Sequence, residues 1–177
     1  AVLSGSRTAI SAVPLPPLSP TMATLRPPNS RITYGVASSS PVVETTAFVE
    51  DRGGGIWAGT VPGGLFHSAD RGASWQLNEA LWAMPERAQW FGGGFGKPGI
   101  HSICIDPRDS RKLLVAVSCG GVWGSEDAGK SWVSRAKGMW AEYVPPEQRD
   151  NPNIQDPHRM VRCRARPDTL WAQHHNG

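Results

Sequence analysis

Ser68-Ala-Asp-Arg-Gly-Ala-Ser-Trp75 returns almost letter for letter as Ser125-Glu-Asp-Ala-Gly-Lys-Ser-Trp132. Asp70 and Asp127 are 57 residues apart, and the flanks keep the same pitch. Gly63-Gly64-Leu65-Phe66 aligns with Gly120-Gly121-Val122-Trp123, and His101 aligns with His158. Asn176-Gly177 stands where a third Gly-Gly is due. Such self-similarity marks a repeat architecture, and recognising it comes before any finer reading. Each letter of the octet has a physical use. Ser68, Asp70, Ser125 and Asp127 can bond nearby backbone groups and close a turn. Gly72 and Gly129 permit positive φ where the chain reverses. Trp75 and Trp132 open the returning strand and supply a large apolar plug.

Around the octets each unit reads as four short strands. In the better preserved unit these are His101 to Asp106, Lys112 to Ser118, Gly121 to Gly124 and Ser131 to Ser134. They are rich in Val, Ile and Trp and bounded by Pro, Gly, Asp and Ser. Four antiparallel strands per unit describe a blade of a β-propeller. The expected fold is therefore all-β: residues 45–177 as an incomplete propeller of about two and a half blades, and residues 1–44 as a separate extension. Closure takes roughly six or seven such units, and stacked units rely on their neighbours for a core. Further blades or self-association are thus the expected partners.

The octets resemble the Asp-boxes (BNR repeats) of sialidase-like β-propellers. Trp57-Ala-Gly-Thr-Val-Pro-Gly-Gly-Leu-Phe, Ile100-His-Ser-Ile-Cys-Ile-Asp-Pro and Asp156-Pro-His with Gln173-His-His-Asn-Gly are similar to bacterial exo-α-sialidase-like or glycosyl-hydrolase-like proteins. The resemblance covers roughly residues 45–177. It implies that the Asp-box is a structural turn remote from the active face, so that Asp70 and Asp127 are not catalytic.

Composition narrows the classes. Eighteen Lys and Arg against 15 acids give a net charge of +3, too mild to argue for nucleic acid. No stretch approaches the ~20 apolar residues that span a bilayer. Three cysteines without regular spacing are not a disulfide framework, and Cys104 and Cys163 read as buried thiols. A reducing, cytoplasmic setting is expected. The first 44 residues hold seven prolines and one acid, Glu44. They read as a disordered extension, a transit-like leader, or sequence foreign to the repeat, with Met22 as an alternative start.

Strand alternation places the octet turns on one face of the propeller. The opposite face collects the inter-blade segments 78–99 and 138–157, the strand starts at His101 and His158, and the corners at Thr60, Ser118 and His174. Candidate ligand-binding residues there are His101, His158, His174, His175, Trp82, Trp90, Trp140 and Tyr143. Rings with interspersed acids suit sugars, whose apolar faces stack and whose hydroxyls bond. Asp156 and Glu142 are the candidate catalytic carboxylates of a glycosidase. His158 with His174 or His175, together with Asp156, can hold Zn²⁺ or Mn²⁺; no other cofactor is expected. Arg162, Arg164 and Arg166 alternate, which would set all three on one side of a strand. By analogy with sialidases, they would grip a carboxylate. Three functions follow: a glycoside-hydrolase-like protein, a non-catalytic binding or assembly module, and a metal-dependent hydrolase.

Overall fold

The computed structural model describes residues 31–33, 42–93 and 96–176. Among the described residues, eleven strands form three antiparallel sheets. The first joins β1 (Arg31–Thr33), β2 (Val42–Glu50), β3 (Ile56–Val61), β4 (Leu65–Ser68) and β5 (Gln76–Leu77) in chain order. The second joins β6 (Ile100–Asp106), β7 (Asp109–Val117), β8 (Gly121–Ser125) and β9 (Val133–Ser134). The third is the pair β10 (Pro157–Arg162) and β11 (Leu170–His174). The first strands β2, β6 and β10 are neighbours, so the sheets stand side by side as blades around an axis. The chain is a portion of a β-propeller. β1 and the start of β2 fall within the expected extension; the rest of residues 1–44, and Gly177, lie outside the described residues.

Burial explains why the middle strands read as continuous apolar runs. In β8 all five residues are buried, and in β3 four of six. A blade is covered on both faces by its neighbours, so alternation fades. Between the first two blades lie Trp57, Leu65, Leu81, Trp90, Ile100, Leu113, Val115, Val117 and Trp123. Between the second and third lie Cys104, Ala116, Val122, Ala136 and Met160. Trp171 and Val161 of the third blade are more than half or half exposed, since no described residue covers them.

The two octets form the same turn, with the same four serine and aspartate bonds. The Ser68 hydroxyl donates to Asp70 Oδ1 at 2.7 Å and accepts the Gly72 amide at 2.7 Å. Asp70 then accepts the Ser74 amide at 2.8 Å and the Ser74 hydroxyl at 2.6 Å. Ser125, Asp127, Gly129 and Ser131 repeat this at 2.8, 2.8, 2.9 and 2.6 Å. Arg71 and Ala128 have φ of 57° and 60°, and Gly72 and Gly129 follow at 91° and 81°. The indoles of the two turns differ in partner. Trp75 Nε1 donates to its own Gly72 carbonyl, whereas Trp132 Nε1 donates to Asn78 Oδ1 of the preceding blade at 3.0 Å. Asn78 also donates to the Gly129 carbonyl at 2.9 Å and accepts the Leu81 amide at the start of the short helix α1 (Glu79–Trp82). One amide therefore caps a helix and clamps the next blade.

At the far end of β6, a second joint ties blade two to blade three. Buried Asp106 accepts from Arg108 at 2.8 and 2.9 Å and from Arg162 at 3.2 Å. Arg108 reaches on to Asp168.

The turn carboxylates carry a pH signature. The Ser74 hydroxyl and amide, with the Ser68 hydroxyl, pull Asp70 down to about 2 from 3.8. Ser131 and Ser125 do the same for Asp127, also to about 2. A depressed folded-state value stabilises the fold above 3.8, and that stabilisation is lost as pH falls through 2. Carboxyl NMR titration is expected to show both residues still ionised at about pH 3, and ordinary midpoints near 3.8 would contradict the geometry. The glycines give a second expectation. Gly72→Ala should cost about 1–2 kcal/mol, the strain of a left-handed non-glycine residue. Gly129→Ala should cost more, because its Cβ would meet Asn78 Nδ2 at 2.6 Å and Trp57 at 3.0 Å. Urea unfolding of both variants checks the order.

Candidate functional site

The site is built on a repeated irregularity. In β2 the register slips between Thr45 and Ala47, leaving Thr46 unpaired. In β6 the slip falls between Ile100 and Ser102, at His101. In β10 it falls between Pro157 and Arg159, at His158. Each first strand thus has a β-bulge at the corresponding place, and bulges re-aim side chains. Thr46 turns its hydroxyl onto the Ile100 carbonyl at 2.6 Å. His101 and His158 come side by side, with ring centres 6.2 Å apart.

Asp156, just ahead of β10, is the centre. Its carboxylate is 6% exposed. Oδ1 accepts the Cys119 amide at 3.1 Å. Oδ2 lies 3.4 Å from His158 Nε2 and 3.3 Å from His175 Nδ1. Those two nitrogens are themselves 3.3 Å apart. The Asp156 amide donates to His174 Nε2 at 3.2 Å, and the His175 amide donates to the Asp156 carbonyl at 3.0 Å. Tyr143 lies edge-on to His175 at 5.0 Å and donates its hydroxyl to the Ile154 carbonyl at 3.1 Å. The corner after β7 is bolted on by the Gly120 and Gly121 amides, which share the Gln155 carbonyl.

Burial dominates the electrostatics. It lowers His101, with His158 adding and Asp156 opposing. It lowers His174 as well, in keeping with a neutral ring that accepts at Nε2. Burial, reinforced by Asp156, raises both Tyr143 and the Cys119 thiol.

His101, His158, His174, His175, Tyr143 and Asp156 therefore meet. Trp140 is half exposed; its carbonyl accepts from Asn176, whose Oδ1 also takes the Glu142 amide at 3.2 Å. Glu142 is exposed, and its carboxylate has no ion pair or hydrogen bond among the described residues. Trp82 and Trp90 stand elsewhere. Trp90 is 6% exposed, a core residue 6.0 Å from Trp123, so its ring has no open face for a sugar. Trp82 stacks on the buried Arg87 guanidinium at 3.6 Å. The arginine row also needs correcting. β10 ends at Arg162, and Arg164 and Arg166 lie in the bend beyond, so the three do not share a strand face. Arg162 is drawn to Asp106 and the Pro167 carbonyl instead. Cys163 lies past the strand and is half-buried rather than buried. Sequence reasoning missed Cys119, whose backbone φ of 48° turns its amide onto Asp156. Only its place in the corner aligned with Val-Pro-Gly hinted at it.

No protein-family model matches the chain. No curated protein matches it. Among solved structures, it is similar to the GH74 xyloglucanase from Xanthomonas campestris, with 23% identity, a TM-score of 0.45, and coverage of 63% of this chain and 16% of that one. It is also similar to YCF48 from Cyanidioschyzon merolae, with 17% identity, a TM-score of 0.40, and coverage of 82% and 44%. The chain thus spans less than half of either structure. No helix among the described residues is long and apolar enough to cross a membrane.

Alkylation tests the packing around Asp156. Thiols pushed up by burial stay protonated and shielded. Iodoacetamide at about pH 8 is expected to label Cys163 first and to spare Cys104 and Cys119 until the chain unfolds. Mass mapping of the labelled peptides reads the order.

Proposed function

We propose that this chain is part of a propeller that binds a small hydroxyl-rich ligand, in the first instance a glycan. The site is the face where the strand starts at His101 and His158 meet the His174–Asn176 corner. One observation carries the reading: four imidazoles, a phenol and a carboxylate, drawn from separate segments, converge at that face. Binding groups concentrate where a rigid scaffold presents its loops. Half-exposed Trp140 supplies a stacking ring at the rim. The octet aspartates are consumed by their own serines, in accord with the structural role that the Asp-box resemblance implies.

Binding is better supported than hydrolysis by an Asp156 and Glu142 pair. A general acid or base must offer a free oxygen to its substrate. Asp156 has one oxygen on an amide and the other between two imidazoles. Glu142 stands in solvent, its carboxylate bonded to no described residue.

Titration calorimetry against a panel of neutral and acidic oligosaccharides tests the proposal. Trp140→Ala is expected to weaken binding about tenfold, the worth of one stacked ring. Trp171→Ala, equally exposed on β11, should leave it unchanged. Equal losses at both positions, or no binding to any sugar, would reject the reading.

A further inference from the structure

We propose that Asp156, His158 and His175 form a divalent transition-metal site, fitted to zinc, with three protein ligands and one open position. The inference stands on its own geometry and does not need the ligand to be a sugar.

The three donor atoms form a nearly equilateral triangle. Its edges are 3.4 Å from Asp156 Oδ2 to His158 Nε2, 3.3 Å from Oδ2 to His175 Nδ1, and 3.3 Å between the nitrogens. Tetrahedral zinc, with bonds of about 2.0–2.1 Å to nitrogen and oxygen, sets its ligand atoms ~3.3–3.4 Å apart. The observed triangle has the size of one face of that tetrahedron. The two imidazoles are borderline nitrogen donors that suit zinc, whereas calcium and magnesium take oxygen ligands.

Protons alone do not explain the triangle. Each imidazole brings at most one N–H to it, and the carboxylate brings none when ionised. Two protons satisfy at most two of the three edges. Either the two N–H groups face each other across the third edge, or lone pairs do. A cation at the centre satisfies all three donors at once.

The donors are also held in place before any ion arrives. The Cys119 amide takes Oδ1, which leaves Oδ2 as a single-oxygen ligand. His158 is aimed by the bulge in β10. His175 follows β11 directly, and its amide is tied to the Asp156 carbonyl at 3.0 Å. The two imidazole side chains are 40% and 36% exposed, while the carboxylate is 6% exposed. An ion enters from solvent against a buried anion, and the fourth position faces outward. Three protein ligands with an open fourth position is the pattern of zinc sites that bind water or substrate. The occupant of that position is an oxygen donor: water, a hydroxyl or a carboxylate.

The experiment uses the whole 177-residue chain, stripped by chelator and dialysed. Zinc binding is measured by calorimetry, and cobalt is added in parallel to read coordination from its visible spectrum. The expected result is one zinc per chain and an intense tetrahedral cobalt band. His158→Ala and His175→Ala should each weaken zinc by at least ~100-fold, the upper end of what even outer-shell changes cost. His67→Ala, in β4 one residue before the first octet and beside Asp51, is the control and should change nothing. Circular dichroism establishes that each variant is folded. Asp156→Asn keeps the oxygen that accepts the Cys119 amide and should also lose zinc. Absence of zinc binding by the wild-type chain at micromolar concentration overturns the proposal, as does equal weakening by His67→Ala. Zinc binding by the wild-type chain without binding of any sugar would reject the glycan reading alone.

Discussion

The Thr46 hydroxyl donates to the Ile100 carbonyl at 2.6 Å, and the site depends on what that bond fixes. Thr46 is the extra residue in the first strand of its blade. Ile100 is the last paired residue before the extra residue of the next, His101. A hydroxyl freed by one bulge thus holds the carbonyl that leads into the following bulge. At the next joint Ser102 accepts the Met160 amide at 3.0 Å, and Cys104 approaches the Met160 carbonyl at 3.5 Å. The blades are locked near the axis, where small angular errors between sheets would otherwise pull His101 and His158 apart. Gly59 permits the close approach: a Cβ there would fall 2.6–2.8 Å from Ile100.

Further from the axis the clamps use different chemistry. Asn78 satisfies one helix amide, one indole and one carbonyl with a single side chain. Asp106 gathers two guanidinium groups while almost fully buried, and Arg108 holds its carboxyl well below the usual carboxylate range. The Arg162–Asp106 pair is nearly shut off from solvent, so salt screens it less than a surface pair. Arg87 is the exception to this pattern of paired charge. It is buried between Trp82 and Trp90 with one bond to the Trp82 carbonyl, and its Nε and Nη2 have no hydrogen-bond partner among the described residues. Desolvation brings it to about 10. Two indole faces offset part of that cost.

The fold was legible because its signal is local. The octet closes through serine, aspartate and glycine within seven residues, so its chemistry can be read without knowing what packs on it. The pitch of 57 placed His101 and His158 at equivalent positions correctly. What failed was whatever depends on register or on partners distant in sequence. The bulges leave no trace in alternation, yet they decide where His101 and His158 point. The arginine row looked like a strand face because the alternation continues past Arg162, where pairing with β11 stops. Trp90 looked like a loop aromatic because nothing nearby in sequence announces that Trp123 and Val117 will cover it. His174 and His175 were candidates for one face, but as neighbours in sequence they cannot use the same contact. Both reach Asp156, because His174 takes its amide and His175 its carboxylate.

A buried carboxylate facing two imidazoles is an expensive arrangement for a scaffold that needs only apolar contact between blades. Removing a carboxylate from water costs several kcal/mol unless charge or hydrogen bonds replace the solvent. A single amide, from Cys119, does so on one side. The other side is left to His158 and His175, whose side chains are partly in solvent. At the equivalent place in the first blade the same bulge carries Thr46, which needs no counter-charge and serves only to join the blades. The scaffold therefore closes this position with an uncharged hydroxyl in one blade and departs from that solution at His101 and His158. Departures of this kind from local economy concentrate at functional sites. That contrast, within one chain and one repeated geometry, separates the Asp156 cluster from the joints around it.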